Sequence, residues 1–243
     1  MSKAATRKRR ELGLPVALFV ALVALYFFLH SSLFNITSIE ATGQKTLKGQ
    51  EITALSGLVT GGNIFEVDTE KSSQSVKSHP RVKDCEVVRH LPSRLEVRVV
   101  ERTPWAVVPT NNEFLLVDEQ GVVIEKLSDW PPQQVPVVTA DLNSGAIKLG
   151  QKINGIATVY RIVQALPVNK LTVSEYHYDT TSHEVLIYTL TGTEIRVGDA
   201  SNLKGKVAAW PEVIKLLNNP RQPVAYIDLR FKGHPVIKYK GSI

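Results

Sequence analysis

Histidines and carboxylates are the side chains of this chain that could bind a metal ion. The histidines stand at positions 30, 79, 90, 177, 183 and 234, with no HExxH motif and no His-x-His pair. A zinc site needs three or four ligands at workable spacing, and His177 and His183 are separated by a predicted strand end and turn. We therefore predict no metal site, and no other motif indicates a cofactor.

The sequence supports neither nucleophilic catalysis nor nucleotide binding. No G-x-S-x-G turn is present. Cys85 is the single cysteine and shares a predicted strand face with Val87, which is typical of a small buried side chain rather than a reactive thiol. Gly198 and Gly205-Lys206 resemble a phosphate-binding loop, but six residues separate the glycines and Val207 replaces the required hydroxyl. We therefore predict no catalytic residue of these kinds.

Four carboxylates, Asp118, Glu119, Asp179 and Asp228, could pair for glycan hydrolysis. Asp118 and Glu119 lie in a predicted hairpin turn, where acidic residues are favoured for structural reasons. Asp228 alternates with apolar neighbours, so we expect it to point away from the core and to form a surface ion pair with Arg230. Structural roles are favoured, and the sequence leaves a dispersed active site as the alternative.

The segment from Leu12 to Leu29 carries no charged side chain, and the next charge after it is Glu40. As a helix it would extend roughly 27 Å, close to the ~30 Å of bilayer hydrocarbon. Lys3 and the basic residues 7–10 precede it. Because positive charge beside a first membrane helix stays in the cytoplasm, we predict a single membrane anchor with everything after it outside the cytoplasm.

Two alternatives to an anchor are weaker. A cleavable signal peptide would end in small residues at a cleavage site, whereas this segment ends in Phe27, Phe28 and Leu29. A buried core helix would need a polar face, which this segment lacks. We predict a cytoplasmic tail over residues 1–11, a transmembrane helix over 12–32, a first exported domain over 33–104 and a second over 105–243.

Charge and cysteine content restrict the partners and the stabilising forces. The net charge is +6, of which residues 1–11 carry +4, so the remaining chain has only a small basic excess. This balance argues against nucleic acid as a partner. One cysteine cannot form an internal disulfide, so the exported domains must be stable through their hydrophobic cores.

Residues 33–104 follow the order β-α-α-β-β, which predicts an α+β unit with two helices covering one face of a sheet. Asp68 or Thr69 is placed to begin the second helix, and His79-Pro80 to end it. The strands are predicted at 36–43, 82–89 and 95–100, and the helices at 48–58 and 69–78.

Residues 105–243 predict a mixed, mainly antiparallel β domain with flanking helices. Pro136 confines one short strand to an edge, and Pro211 should kink the last helix or split it in two. Strands are predicted at 114–117, 122–124, near 138, 171–178, 185–189, 194–197, 224–229 and 236–239, and helices at 156–166 and 203–217.

Motifs along both exported domains resemble the FtsQ/DivIB family of bacterial cell-division proteins. The first domain resembles the POTRA domain of that family, and the second resembles its β domain. The resemblance is carried in the first domain by Gly61, Asn63-Ile64-Phe65, Val67-Asp68, His79-Pro80, Val82-Lys83, Cys85, Val87, Arg89, Pro92, Leu95, Val97 and Val99 to Pro104. It is carried in the second by Leu116-Val117-Asp118, Gly121-Val122-Val123, Thr191-Gly192, Val197-Gly198, Lys206 and Tyr226 to Arg230.

The resemblance implies a non-enzymatic scaffold at the division septum, anchored in the cytoplasmic (inner) membrane. In the family, the last strands of the β domain bind a small coiled-coil membrane protein of the FtsB/DivIC type, which acts together with an FtsL-like protein. Arg230 and Phe231 match partner-contact positions of the family. The partner-binding residues that this implies are Tyr226, Asp228, Arg230, Phe231, Val236, Ile237 and Tyr239.

Three alternatives remain open from the sequence. Lys232, Lys238 and Lys240 could guard the terminal strand against pairing, although they could equally attract an acidic partner. The chain could be a membrane-anchored enzyme that modifies peptidoglycan. A POTRA domain also occurs in secretion and outer-membrane assembly factors, which would predict binding to unfolded strands. We favour partner binding, because edge protection explains neither Phe231 nor Tyr239.

Overall fold

The structure, a computed structural model, describes residues 3–132, 134–141, 147–219 and 222–241, with the side chains of the first helix described from Leu14 onward. The chain divides into two compact units, Met1–Glu101 (unit 1) and Arg102–Ile243 (unit 2). The basic side chains of the predicted cytoplasmic tail, residues 1–11, lie outside the described side chains.

Unit 1 begins with helix α1, Lys3–Leu29. The helix starts before the predicted Leu12, since the preceding Ala, Lys, Arg and Glu residues are good helix formers, and Pro15 therefore lies in its interior. Its apolar side chains from Leu14 to Phe28 are exposed. Among the helices of the described residues, none combines the length and apolar content that crossing a membrane requires.

The rest of unit 1 has the predicted β-α-α-β-β order. Its elements are β1 (Ser38–Thr42), α2 (Gly49–Ser56), α3 (Thr69–Lys77), β2 (Val82–His90) and β3 (Arg94–Glu101). The sheet order is β1-β3-β2, with β3 parallel to β1 and antiparallel to β2. The carboxylate of Asp68 accepts the Lys71 N–H at 2.9 Å, which confirms the predicted start of α3.

Alternation along the strands builds the core of unit 1. Leu95, Val97 and Val99 of β3 are buried, and so are Cys85 and Val87 of β2, as their spacing predicts. The two helices complete this core with their apolar side chains, among them Ile52 and Val76.

Unit 2 contains two sheets. The smaller has β5 (Phe114–Val117) between β4 (Ala106–Pro109) and β6 (Val123–Leu127). The larger has six strands in the order β12-β11-β10-β9-β8-β7. Its strands are β7 (Val138–Ala140), β8 (Val173–Asp179), β9 (Glu184–Thr189), β10 (Glu194–Gly198), β11 (Val224–Asp228) and β12 (Val236–Tyr239). β7 lies at an edge, as Pro136 predicts.

Helices α4 (Ile156–Ala165) and α5 (Leu203–Leu217) contribute to the core of unit 2. Trp210 of α5 is fully buried, and its indole N–H donates to the Pro167 carbonyl at 3.2 Å. Of the two outcomes predicted for Pro211, a kinked or a split α5, the split is wrong, because the helix continues through this residue. Pro211 is exposed, so its ring needs no room inside the core.

Candidate partner-binding edge

The terminal hairpin forms one edge of the six-stranded sheet. β11 pairs with β10 in parallel and with β12 in antiparallel orientation, and β12 is the last strand in the order. Ile227 stands opposite Ile237, and Asp228 stands opposite Val236. The register shifts between Val224 and Tyr226, which marks a β-bulge in β11. Along its outer side, β12 is therefore an edge strand of the described sheet.

Backbone direction along β12 follows from one hydrogen bond. The Lys240 N–H donates to the Pro223 carbonyl at 2.8 Å, so Lys240 faces β11. Backbone groups alternate in direction along a strand, so those of Lys238 and Val236 also face β11. The N–H and C=O of Ile237 therefore point away from β11, toward the open side, where an added strand could bond to them.

The two faces of β12 differ in character. The side chains of Ile237 and Tyr239 are half-buried and pack against the core of unit 2. Val236 and Lys238 lie on the opposite face, where the side chain of Val236 is 48% exposed. The ammonium of Lys240 donates to the Thr191 carbonyl at 3.1 Å, so this lysine is held on the turn before β10.

The prediction that Asp228 forms a surface ion pair is wrong about its exposure. Its side chain is only 4% exposed, because β11 lies between two strands and Arg230, two residues later, folds over the carboxylate. The backbone N–H of Arg230 donates to Oδ1 at 3.0 Å, and Nη2 of its guanidinium donates to Oδ2 at 2.6 Å. The predicted pairing of Asp228 with Arg230 is confirmed, but as a partly buried pair.

The pKa values of this pair reflect its geometry. Burial alone would raise the pKa of Asp228, but the hydrogen bonds from Arg230 outweigh it and hold the pKa below its usual value. The same hydrogen bond raises the pKa of Arg230, whose Nη1 also donates to Glu184 at 3.0 Å. Both groups are charged at neutral pH, and Arg230 is fixed by two carboxylates.

Gly198 makes room for the Arg230 side chain. Its φ of +75° lies in the left-handed region, and a Cβ at this position would stand 2.9 Å from Cγ of Arg230. A side chain here would strain the backbone and displace the arginine. The family motif Val197-Gly198 thus has a physical role at the end of β10.

Tyr226 lies beneath a second arginine on the outer face of the sheet. The guanidinium carbon of Arg196 is 4.2 Å from the centroid of the Tyr226 ring. Nε of Arg196 donates to Glu194 at 2.5 Å, and this hydrogen bond raises the pKa of Arg196. The cation–π contact fixes the ring in place beside β12.

The loop from Arg230 to Pro235 leads into β12 and exposes an aromatic ring. Phe231 is 63% exposed, with the guanidinium carbon of Arg230 5.9 Å from its ring centroid. Phe231 and Pro235 line a small cavity of about 30 Å³ together with Lys206. Lys206 is buried, which lowers the pKa of its ammonium, and that ammonium donates to the Asp199 carbonyl at 2.6 Å.

The other chemically capable side chains have structural partners. The fully buried carboxylate of Asp118 accepts the N–H groups of Gln120 and Val122 and pairs with Arg102 at 2.5 Å. Burial raises the pKa of the Cys85 thiol. Among the residues that the structure describes, no three His, Cys, Asp or Glu side chains come together in a way that could hold a metal ion.

The structure gathers the seven sequence-predicted residues into one hairpin but gives them different environments. Val236 and Phe231 are exposed, Ile237 and Tyr239 are half-buried, and Asp228 is buried. The sequence reasoning missed Glu184, Arg196 and Gly198 as parts of the site. The spacing Glu194-x-Arg196 places both side chains on one strand face, a signal that could have identified the arginine. Glu184 reaches the site only through sheet pairing.

Comparison with known proteins gives two family matches. A family model described as POTRA domain, FtsQ-type, matches residues 34–102. A second, described as Cell division protein FtsQ/DivIB, C-terminal, matches residues 106–230 and so ends at Arg230, before β12.

Individual relatives match over most of the chain. The cell division protein FtsQ of Syntrophotalea carbinolica is 27% identical over 234 residues, covering 94% of this chain and 81% of that protein. The cell division protein DivIB of Clostridium botulinum (strain Hall) is 22% identical over 237 residues, covering 95% and 92%. A solved structure of the major extracytoplasmic domain of DivIB from Geobacillus stearothermophilus, in its trans isomer, is 23% identical with a TM-score of 0.31, covering 46% of this chain and 91% of that one.

An FtsQ-type POTRA domain followed by a mixed β unit defines a class of POTRA-bearing cell-division proteins. Because the C-terminal family model alone covers just over half of the sequence, the chain belongs to the FtsQ/DivIB family. The resemblance inferred from the motifs is confirmed, and the protein is a member of a family of bacterial cell-division proteins.

Proposed function

We propose that this protein is a non-enzymatic scaffold of the division machinery. It binds a small coiled-coil membrane protein of the FtsB/DivIC type, together with an FtsL-like protein, and so helps to recruit or regulate septal peptidoglycan synthesis. The observation that carries the proposal is the outward direction of the Ile237 backbone on an edge strand. Strand addition to such an edge provides binding without an active site.

Each of the seven site residues has a role in this proposal. The backbone of Ile237 pairs with the incoming strand, while Val236 and Phe231 offer apolar contacts. Tyr226 and the Asp228–Arg230 pair fix the conformation of the surface beside β12. Tyr239 packs β12 onto the core. Lys232 and Lys238 favour an acidic partner over self-pairing. An interface of standard size buries about 1,200–2,000 Å² in total.

The membrane arrangement is part of the same proposal. The uncharged segment Leu12 to Leu29 anchors the protein in the cytoplasmic (inner) membrane at the septum, with residues 1–11 in the cytoplasm and the POTRA and β domains, over 33–104 and 105–243, outside. Protease added to intact spheroplasts should then degrade the bulk of the protein. Complete protection, or a mature protein that lacks the first thirty or so residues, would contradict this arrangement.

Co-purification of the partner tests whether β12 accepts an added strand. We expect Ile237→Ala to retain most of the partner on co-purification of the full-length protein from membranes, and Ile237→Pro to lose about tenfold or more. Proline removes an N–H worth ~0.5–1.5 kcal/mol as a hydrogen bond and adds a ring that blocks an incoming strand. Both variants lose the same half-buried side chain, so the comparison isolates the edge. Equal recovery of the partner from two folded variants would refute strand addition.

The enzymatic alternative has a direct test. Incubation of the purified protein with cell-wall fragments should give no turnover above a heat-inactivated sample. Turnover that is lost in an Asp179→Asn or Glu119→Gln variant would establish a hydrolase and replace the scaffold proposal.

A further inference from the structure

Unit 1 concentrates its exposed apolar side chains at one end. After α1, the large apolar residues that its described side chains expose are Leu33, Val59, Phe65, Leu91 and Val100. They come from four different segments of the chain. All except Val100 lie at the end of the unit where α1 stops, and contacts on each segment place them there.

The first pair of contacts joins α1 to the loop between α2 and α3. The side-chain N–H of Asn63 donates to the Leu29 carbonyl at 2.7 Å, which satisfies a carbonyl at the end of α1. The ring of Phe34 lies 5.3 Å from that of Phe28 and 5.1 Å from that of Phe65, centroid to centroid. Phe65 is therefore held beside the last turn of α1.

Val59 and Leu91 reach the same end through the segment that links α1 to β1. The Gly61 N–H donates to the Ile36 carbonyl at 2.8 Å, which brings the loop carrying Val59 beside this segment. The Thr37 N–H donates to the Ser93 carbonyl at 2.8 Å, which does the same for the β2–β3 turn carrying Leu91. Side-chain exposure reaches 72% for Val59 and 60% for Leu91.

We propose that this end of unit 1, the surface formed by Leu33, Val59, Phe65 and Leu91, rests in the interface of the bilayer that holds α1. The inference rests on the proposed membrane anchor. If α1 crosses the bilayer and ends at Leu29, the short 3₁₀ turn of Ser32–Phe34 leaves this surface beside the lipid.

Chain continuity is the reason for choosing lipid as the occupant of this surface. A soluble partner would have to enter between the domain and the membrane, where α1 leaves little space. Arg94 begins β3 at the same end and is exposed, and its guanidinium lies 3.8 Å from the exposed Glu40 carboxylate. An exposed pair of this kind is weak, so the guanidinium can exchange Glu40 for a lipid phosphate. Apolar side chains of this kind enter about 5–10 Å into the headgroup and acyl boundary. The part of unit 1 that follows α1 would then keep one orientation relative to the membrane, rather than reorient freely about a flexible linker.

Spin labels on the full-length protein in lipid nanodiscs test the proposal. Val59→Cys and Leu91→Cys each carry a nitroxide in a Cys85→Ala background, and collision with oxygen is compared with collision with a water-soluble nickel chelate. Val100→Cys is the matched control. Its side chain is 54% exposed, close to the 60% of Leu91, but it stands six residues along β3 from Arg94, about 20 Å away. Leu22→Cys reports on α1 itself.

We expect the oxygen-to-nickel collision ratio at positions 59 and 91 to exceed the ratio at 100 several-fold and to approach that at 22. Water-like ratios at 59 and 91, with a lipid-like ratio at 22, would overturn the inference and leave the anchor intact. A water-like ratio at 22 would instead contradict the anchor, and the inference with it. Equal ratios at 91 and 100 would also overturn the inference, because exposure alone would then explain them.

Discussion

Replacement of Asp228 by Asn tests whether the buried pair stabilises the terminal hairpin. The asparagine keeps the shape of the side chain but loses the charge that accepts N–H groups from Arg230. Hydrogen bonds to charged groups are worth about 1.5–3 kcal/mol each, and Arg230 keeps Glu184 as a partner. We therefore expect Asp228→Asn to lower the free energy of unfolding of unit 2 by about 2–3 kcal/mol at pH 7.

The assay is urea unfolding of the full-length protein, followed by tryptophan fluorescence. The three tryptophans, Trp105, Trp130 and Trp210, all belong to unit 2, so the signal reports on that unit. Asp129→Asn removes an exposed carboxylate from the same unit and should change the free energy by less than about 0.5 kcal/mol.

The lowered pKa of Asp228 predicts how the stability difference between wild type and Asp228→Asn changes with pH. The pKa of Asp228 is lower in the folded protein than in the unfolded chain, so its stabilisation is complete above the unfolded pKa and is lost as pH falls through the folded pKa. The difference between wild type and Asp228→Asn should be constant near neutrality and shrink below about pH 4. A difference under about 0.5 kcal/mol at pH 7, or one that persists unchanged at pH 2, would refute the reasoning.

Three further predictions concern the environments of Gly198, Arg102 and Cys85. Gly198→Ala should cost about 1–3 kcal/mol in the same urea assay, because alanine is strained at positive φ and its Cβ meets Arg230; wild-type stability would contradict this. Arg102→Met leaves the buried Asp118 carboxylate without its cation and should cost about 3 kcal/mol, whereas the exposed Lys204→Met should cost little. Cys85 should react with a maleimide only after unit 1 unfolds, since burial both covers the thiol and raises its pKa; rapid labelling of the native protein would show that β2 opens.

Local patterns predicted the order of elements well. Alternating Leu95, Val97 and Val99 identified β3, and Asp68 identified the start of α3, because strand faces and helix caps are encoded within a few residues. The terminal strand Val236–Tyr239 was predicted with the bounds that the structure has. The early start of α1 was not predicted, although the residues before Leu12 are good helix formers. The bounds of α5 were predicted, and of the two outcomes predicted for Pro211, a kink or a split, the split is wrong.

The position of the candidate site in the chain was predictable from the sequence, but the burial of its side chains was not. Alternation along β11 predicted a surface ion pair of Asp228 with Arg230, and the structure forms that pair but buries the carboxylate beneath the arginine. That burial depends on the partners of distant strands, above all Glu184 of β9 and the space that Gly198 of β10 leaves. No pattern within β11 encodes them, because sheet order is a property of the whole unit.

Amide hydrogen exchange at β12 tests the central claim most directly. The full-length protein in a bilayer is compared alone and with saturating coiled-coil partner recovered from membranes, with exchange resolved at single residues. The Ile237 amide should slow by roughly an order of magnitude or more on binding, since its N–H gains a strand partner, while the Lys238 amide, already facing β11, should change little. Unchanged exchange at Ile237 under saturating partner would contradict strand addition at this edge.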